Sequence, residues 1–305
     1  MRVIQLPYSA GERVAALGTF DGVHRGHRTL ILNAKELAAG MGVPLRVCTF
    51  NRHPLEILRP ENPPEMLSTI PEKAREMQKL GVDEMELIPF NRYTANLEPE
   101  AFLERLRSMM NVRAVVAGWN YSFGKYGRGN AELLEEDGKK HGYQVMIVPP
   151  ATLDDGTAIS SSLIRKKLKE GLVSEVSELL GYEYSVTGIV EQGKHQGHVL
   201  GFPTANIEPW NRKALPRFGV YTCRLETGDM LLPAVANIGI QPTMPSGKVT
   251  VEAHILEECP ELYGQKVRLT LLEMQREEKR FDSSDELKEQ IEKDRNRALK
   301  MFGMA

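Results

Sequence analysis

Apolar residues in the first half of the chain fall into short continuous runs separated by stretches of helical spacing. Val14 to Leu17 reads as a buried strand, and Leu30, Ile31, Ala34 and Leu37 follow at helical intervals. Gly40 and Gly42 supply stop signals, after which Leu45 to Phe50 is a second β-rich run. Thr69 and Glu72 have capping-box spacing and predict a helix through Lys79 that ends at Gly81. Met85 to Ile88 is a third strand; Pro99 opens the next helix, Ala114 to Ala117 is a fourth strand, Asn130 caps another helix and Val145 to Val148 is a fifth strand. Strand and helix alternate throughout, which predicts a doubly wound parallel sheet covered on both faces.

The pattern then changes. Leu163 to Leu180 reads as two short helices broken at Gly171, with Gly181 as a stop signal. Beyond it, Tyr184 to Val190, Val220 to Leu225, Leu231 to Ala236, Val249 to Leu256 and Val267 to Leu272 are β-rich runs without intervening helices. Such a series predicts a small antiparallel barrel. Ser283 and Glu286 have capping-box spacing, and Leu287, Ile291 and Ala298 predict a terminal helix packed on it. The expected fold is therefore α/β followed by β, with the boundary near Gly181: residues 1–181 and 182–305.

Composition narrows the function classes. A chain of 305 residues can bury two cores. Its 39 Lys and Arg nearly balance 41 Asp and Glu, so no global basic field points to nucleic acid, and small polar substrates fit better. The three cysteines, Cys48, Cys223 and Cys259, are scattered and odd in number, which argues for a reducing compartment. No apolar stretch reaches membrane-spanning length and the N-terminus lacks the order of a signal peptide, so the expected location is the cytoplasm, with no membrane partner.

The chemistry concentrates where the first strand ends, at Gly18-Thr19-Phe20-Asp21-Gly22-Val23-His24-Arg25-Gly26-His27. A strand, a Gly-rich turn and a helix start provide unpaired amides at the positive end of a helix dipole, a place for a phosphate. His24 and His27, three apart, share a face. Two histidines so spaced could also be half of a metal site, but no third ligand with zinc-type spacing is near. In an open α/β sheet the ligand lies beyond the carboxyl ends of the strands. Asn51-Arg52-His53-Pro54, Gly118 to Gly124 and Ile159 to Arg165 follow other strands and would converge on the same rim. Ser160, Ser161 and Ser162 exceed what one helix cap needs; with open amides and Arg165 they make a pyrophosphate holder. His53, followed by Pro54, is equally readable as a turn residue.

The opening motif resembles the HxGH signature of nucleotidylyltransferases in its GxFDGxHxGH form, the flavin adenylyltransferase branch. Ile159 to Arg165 resembles that family's ISSTxIR segment, with Ser162 in the Thr position, and Gly118 to Gly124 resembles GxDFxFG, with Asn120 in place of the acid. In the second half, Gly201-Phe202-Pro203-Thr204-Ala205-Asn206 matches the GFPTAN motif of riboflavin kinases. The agreement continues through Gly219-Val220-Tyr221, Asn237-Ile238-Gly239, Pro242-Thr243, Val251 to Leu256 and Leu262-Tyr263-Gly264. Nearly the whole chain resembles the bacterial bifunctional riboflavin kinase/FAD synthetase family.

That resemblance implies ATP-dependent phosphorylation of riboflavin by the barrel and adenylyl transfer from ATP to FMN, giving FAD and pyrophosphate, by the first domain. It implies nucleotide binding by Gly18, Phe20, Asp21, Gly26, Ser160, Ser161 and Arg165 in one domain and by Gly193, Lys194, Gly201 and Pro203 in the other. His24 and His27 would donate to the reacting phosphates; His53, Asn120, Phe123 and Arg276 would contact flavin. Thr204 and Asn206 would hold magnesium, and Glu252 would be the base for the ribityl hydroxyl. From alternation alone Glu252 lies with Thr250 and His254 opposite Val249, Val251, Ala253 and Ile255, which a solvated strand face would also give. His198 in place of the usual Arg, and Glu257-Glu258 in place of Asp-Phe, leave open an enzyme that only adenylylates FMN and carries a non-catalytic flavin-binding or regulatory barrel.

Overall fold

The computed structural model describes residues 1–4, 11–191, 204–240 and 249–304. The chain divides into two compact units, Met1–Ser161 and Ser162–Ala305. In the first, β1 (Arg2–Ile4), β2 (Glu12–Leu17), β3 (Leu45–Phe50), β4 (Glu84–Ile88), β5 (Asn111–Gly118) and β6 (Gln144–Val148) form, among the described residues, a wholly parallel sheet in the order β1-β4-β3-β2-β5-β6. All five anticipated strands are present. The sixth, β1, is a three-residue edge strand paired to β4, too short to show periodicity.

Alternate residues of the same strands enter two cores, as a doubly covered sheet requires. Val14, Ala16, Val47, Met85 and Val116 pack with Leu30, Ile31 and Ala34 of α1 (Arg25–Met41) and Met77 of α3 (Ile70–Lys79). Ala15, Leu17, Cys48, Val115 and Ala117 pack with Phe102, Leu103 and Leu106 of α5 (Pro99–Met109) and Leu134 of α6 (Ala131–His141). Two short helices, α2 (Leu55–Leu58) and α4 (Arg92–Ala95), lie in the connections. The anticipated helix signals operate as drawn. Thr69 Oγ1 accepts from the Glu72 amide at 3.3 Å while Glu72 accepts from the Thr69 amide at 2.8 Å; Asn130 caps α6, and Pro99 opens α5. Gly42, not Gly40, ends α1.

One feature of the sheet escapes hydrophobic patterning. Arg46, fully buried on β3, donates to Glu84 at 2.8 Å and to Glu86 at 3.1 Å, and Arg13 donates to Glu84 at 2.8 Å. Buried charge of this kind is tolerated because every member has partners.

In the second unit, α7 (Ser161–Lys169) and α8 (Val173–Leu180) are separated at Gly171, and Gly181 caps α8. Next come β7 (Ser185–Glu191), β8 (Thr204–Pro209), β9 (Gly219–Thr227), β10 (Met230–Ile240), β11 (Val249–Ile255) and β12 (Lys266–Glu277). Among the described residues they close an antiparallel barrel in the order β10-β11-β8-β7-β12-β9. Val186, Ile207, Cys223, Ala236, Val251 and Leu269 fill its interior. The strand β8 is absent from the sequence reading, which treats Thr204 to Asn206 as the end of a Gly-rich loop. Its outer face is polar and its apolar alternation covers only Ala205 and Ile207, too few for a pattern.

The terminal helix α9 (Ser284–Met301) is capped by Ser283, which accepts from the Glu286 amide at 3.2 Å. It is tied to β12 by Asp294, whose carboxylate accepts from Arg276 Nη2 at 2.8 Å and from Gln290 at 2.8 Å. Asp294→Ala is expected to destabilise this unit by roughly 3 kcal/mol, the low end for breaking a buried pair because Arg276 keeps some contact with water. Urea unfolding of the variant beside the parent checks it; an unchanged midpoint would remove Asp294 from any stabilising role. No helix among the described residues is long and apolar enough to cross a membrane.

Candidate active sites

In the sheet order, β2 lies between β3 and β5, so the connections leaving β2 and β5 diverge to opposite sides. The crevice at such a switch point is where open α/β sheets place their ligands. The turn after β2 is built for close approach. Phe20 and Val23 have φ of 50° and 39°, strained for any side chain and most for a β-branched one. The strain is held by Asp21, whose carboxylate accepts from the Leu67 and Ser68 amides, each at 3.1 Å. The Gly22 amide donates to Ser68 Oγ at 3.0 Å, and Ser161 Oγ donates to the Asp21 carbonyl at 3.0 Å. Asp21 is thus an anchor for the turn, with both carboxylate oxygens engaged.

Two glycines of the motif have steric reasons. A side chain at Gly18 would stand 3.0 Å from the Phe20 ring, and one at Gly26 would stand 3.3 Å from the His24 ring. His24 is the N-cap of α1, its Nδ1 accepting from the His27 amide at 3.4 Å. The rings of His24 and His27 stack with centroids 3.6 Å apart, and Phe20 meets His27 edge-on at 5.2 Å. The two histidines therefore do meet, at the open end of α1. Nδ1 of His27 is buried with no hydrogen-bond partner among the described residues. Burial first, then the charges of His24 and Lys73, hold His27 well below the usual histidine range, so the ring is neutral near pH 7.

Other expected residues have mixed surroundings. His53 Nδ1 accepts from the Leu55 amide at 3.1 Å, so the turn role is realised. Asn120 and Trp119 are exposed just past β5. Phe123 is buried between Phe102 and Tyr121, with centroids at 5.1 and 5.8 Å, as part of the core. Ser160 precedes α7, and Arg165 lies one turn after Ser161 within that helix, in the second unit. The residues that sequence reasoning missed are Thr49, Ser68 and Lys73. Lys73 had a signal: it shares the core-facing stripe of α3 with Met77, where a charge is out of place.

In the barrel, register assembles what the sequence separates. Glu252 of β11 pairs with Asn206 of β8 on one side and with Asn237 of β10 on the other, and His254 pairs with Thr204. Directly paired residues have Cβ atoms about 4.5–5.5 Å apart. Val251, Ala253, Ala205 and Ile207 point inward and are buried, which puts Thr204, Asn206, Glu252 and His254 together on the outer face. Beside Thr204 and His254 opens a cavity of about 1430 Å³ that runs along Leu256, Pro260, Leu262 and Tyr263 to Glu292 and Arg295 of α9. Thr204 and Asn206 offer two hard oxygens, a donor set that suits magnesium delivered with substrate phosphates rather than a cage made by protein alone. Gly193, Lys194, His198, Gly201 and Pro203 lie outside the described residues. Arg276 is on β12, its guanidinium engaged by Asp294.

Comparison with known proteins adds independent findings. Residues 7–163 match the family model described as FAD synthetase, and residues 180–302 match the one described as riboflavin kinase. The chain is 34% identical to the bifunctional riboflavin kinase/FMN adenylyltransferase of Bacillus subtilis over 95% of its own length and 92% of that protein. It is 34% identical to the enzyme of the same name from Escherichia coli, over 95% of this chain and 93% of the other. Among solved structures, one titled as a macrolide-efflux protein from Streptococcus pneumoniae superposes with a TM-score of 0.88 at 30% identity, covering 97% of this chain and 98% of that one.

Proposed function

The chain belongs to the bifunctional riboflavin kinase/FMN adenylyltransferase family, and from that premise we propose how its residues divide the two reactions. The protein is a bifunctional transferase: it phosphorylates riboflavin to FMN and adenylylates FMN to FAD, with ATP as donor in both steps. We assign adenylyl transfer to residues 1–181 and phosphorylation to 182–305; the first family match ends at 163, within α7, and the second begins at 180, the last residue of α8.

For adenylyl transfer, an FMN phosphate oxygen attacks the α-phosphorus of ATP and pyrophosphate leaves. The open amides of α1, His24 and His27 donate to the α- and β-phosphate oxygens as charge grows there, and Ser160 and Ser161 receive the pyrophosphate. Gly18, Phe20, Asp21 and Gly26 shape the turn, and His53, Asn120 and Phe123 belong to the flavin side. The observation that supports this reading is the stacked His24–His27 pair at the switch point of the sheet.

For phosphorylation, Glu252 accepts the ribityl hydroxyl proton as that oxygen attacks the γ-phosphorus of ATP, the bond from the γ-phosphorus to the bridging oxygen breaks and ADP leaves. Thr204 and Asn206 would hold magnesium delivered with ATP, which would supply neutralisation of the phosphate charge. The four carboxylates Glu257, Glu258, Glu261 and Glu292 on the cavity wall repel the triphosphate, so the phosphates lie at the Thr204 end and an uncharged ring lies along Leu256 to Tyr263. Gly193, Lys194, Gly201 and Pro203 complete the nucleotide site, and Arg276 borders the flavin. The register that sets Glu252 beside Asn206 supports a catalytic barrel over one that only binds flavin. Unpaired buried thiols at Cys48 and Cys223 favour a reducing, cytoplasmic setting.

Incubating the protein with riboflavin, ATP and magnesium is expected to yield both FMN and FAD, resolved by chromatography. FAD formed only when FMN is supplied would overturn the kinase assignment.

A further inference from the structure

Lys73 is an unusual residue for the inside of a domain. It is 4% exposed on the core-facing side of α3, and no carboxylate pairs with it among the described residues. Its Nζ donates to the Thr19 carbonyl at 2.7 Å and to Thr49 Oγ1 at 3.3 Å, and Thr49 Oγ1 itself donates to the Thr19 carbonyl at 2.9 Å. Thr19 lies in the turn after β2 and Thr49 lies on β3, so the ammonium joins the carboxyl ends of two neighbouring strands. The opposite charge that acts on it is Asp21, whose two carboxylate oxygens are already committed to the Leu67 and Ser68 amides. On α3 itself, Glu76 turns away to Arg28 and Lys79.

A buried cation with two neutral acceptors is poorly neutralised, and an apolar side chain would serve packing better. The arrangement makes sense if an anion completes it. His27, on the phosphate-facing end of α1, already feels this charge. We propose that Lys73 is a positioning residue of the adenylyl-transfer site: its ammonium clamps Thr19 to Thr49 and sets a fixed positive charge beneath the bed of the ATP phosphates. This rests on placing that site at the carboxyl ends of β2 and β5. The charge acts through space in a low-dielectric cradle, where preorganised groups are worth more than in water.

The test uses the full chain, FMN and ATP, with phosphorylation of riboflavin by the same molecules as the control for folding. Lys73→Met should lower kcat/KM for ATP in FAD formation roughly 10- to 100-fold, the range for one hydrogen-bonded charge, and leave FMN formation unchanged. A pH profile separates this from a purely structural clamp. Burial, opposed by Asp21, brings the Lys73 ammonium down to about 8, so kcat/KM for ATP in the parent should fall as pH rises through that value. Lys73→Arg keeps a charge that does not titrate and should retain activity while losing this alkaline limb. Wild-type kcat/KM in Lys73→Met, or an unmoved limb in Lys73→Arg, would overturn the proposal. His27→Ala, run alongside, distinguishes the two levels: if it too leaves FAD formation intact, the site itself is misplaced, whereas its loss with a normal Lys73→Met sinks the role of Lys73 alone.

Discussion

Glu252→Ala is expected to slow FMN formation by roughly 10²–10⁴-fold, the usual contribution of a positioned general base, while FAD formation from supplied FMN stays at the parent rate. The reason is local. Glu252 sits in mid-strand on β11, held by neighbours on both sides through its pairing with Asn206 and Asn237. Removing its carboxylate leaves the inward-facing Val251 and Ala253, and hence the barrel, undisturbed. Glu252→Gln sharpens the result, because the amide keeps size and hydrogen bonding but cannot take a proton. Should Glu252→Gln phosphorylate riboflavin at the parent rate, Glu252 would be a spacer and the base would have to be sought elsewhere on the same face.

The complementary result is expected for His27→Ala: FAD formation should fall about 10²–10³-fold, the cost of losing one donor to developing phosphate charge, and riboflavin phosphorylation should persist. His27 stacks on His24 and touches Phe20, so its loss also loosens the turn. His24→Ala would go further, since His24 is the N-cap of α1 and caps contribute about 1 kcal/mol to stability. His27→Ala is therefore the cleaner probe. If it stopped both reactions in a folded protein, two independent sites would be the wrong description.

Much of the fold is legible in short stretches. The capping box at Thr69 and Glu72, the stop at Gly42 and the cap at Asn130 are contacts within one helical turn, and each forms as its residues dictate. The five strands of the first domain are legible because each is largely apolar, as strands of a sheet covered on both faces are. β1 and β8 are not, the first for its length and the second because its outer face carries the polar Thr204 and Asn206, leaving only Ala205 and Ile207 to show apolar alternation. Lys73 and Arg46 also defeat pattern reading, since each puts a charge where periodicity expects an apolar side chain.

The sites divide along the same line. By itself, the sequence determined the order of elements, the two-histidine turn after a buried strand, the antiparallel second half and, through its motifs, the family. It could not determine which distant residues meet. Ser161 reaches the Asp21 carbonyl across 140 positions, Lys73 reaches Thr19 across 54, and Glu252 stands beside Asn206 only because β11 pairs with β8 in that register. Local hydrogen bonding and hydrophobic periodicity act over a few residues and are written in the chain. Strand order and register are chosen by the burial of whole faces at once, so the neighbours that turn a motif into an active site are settled only in the tertiary structure.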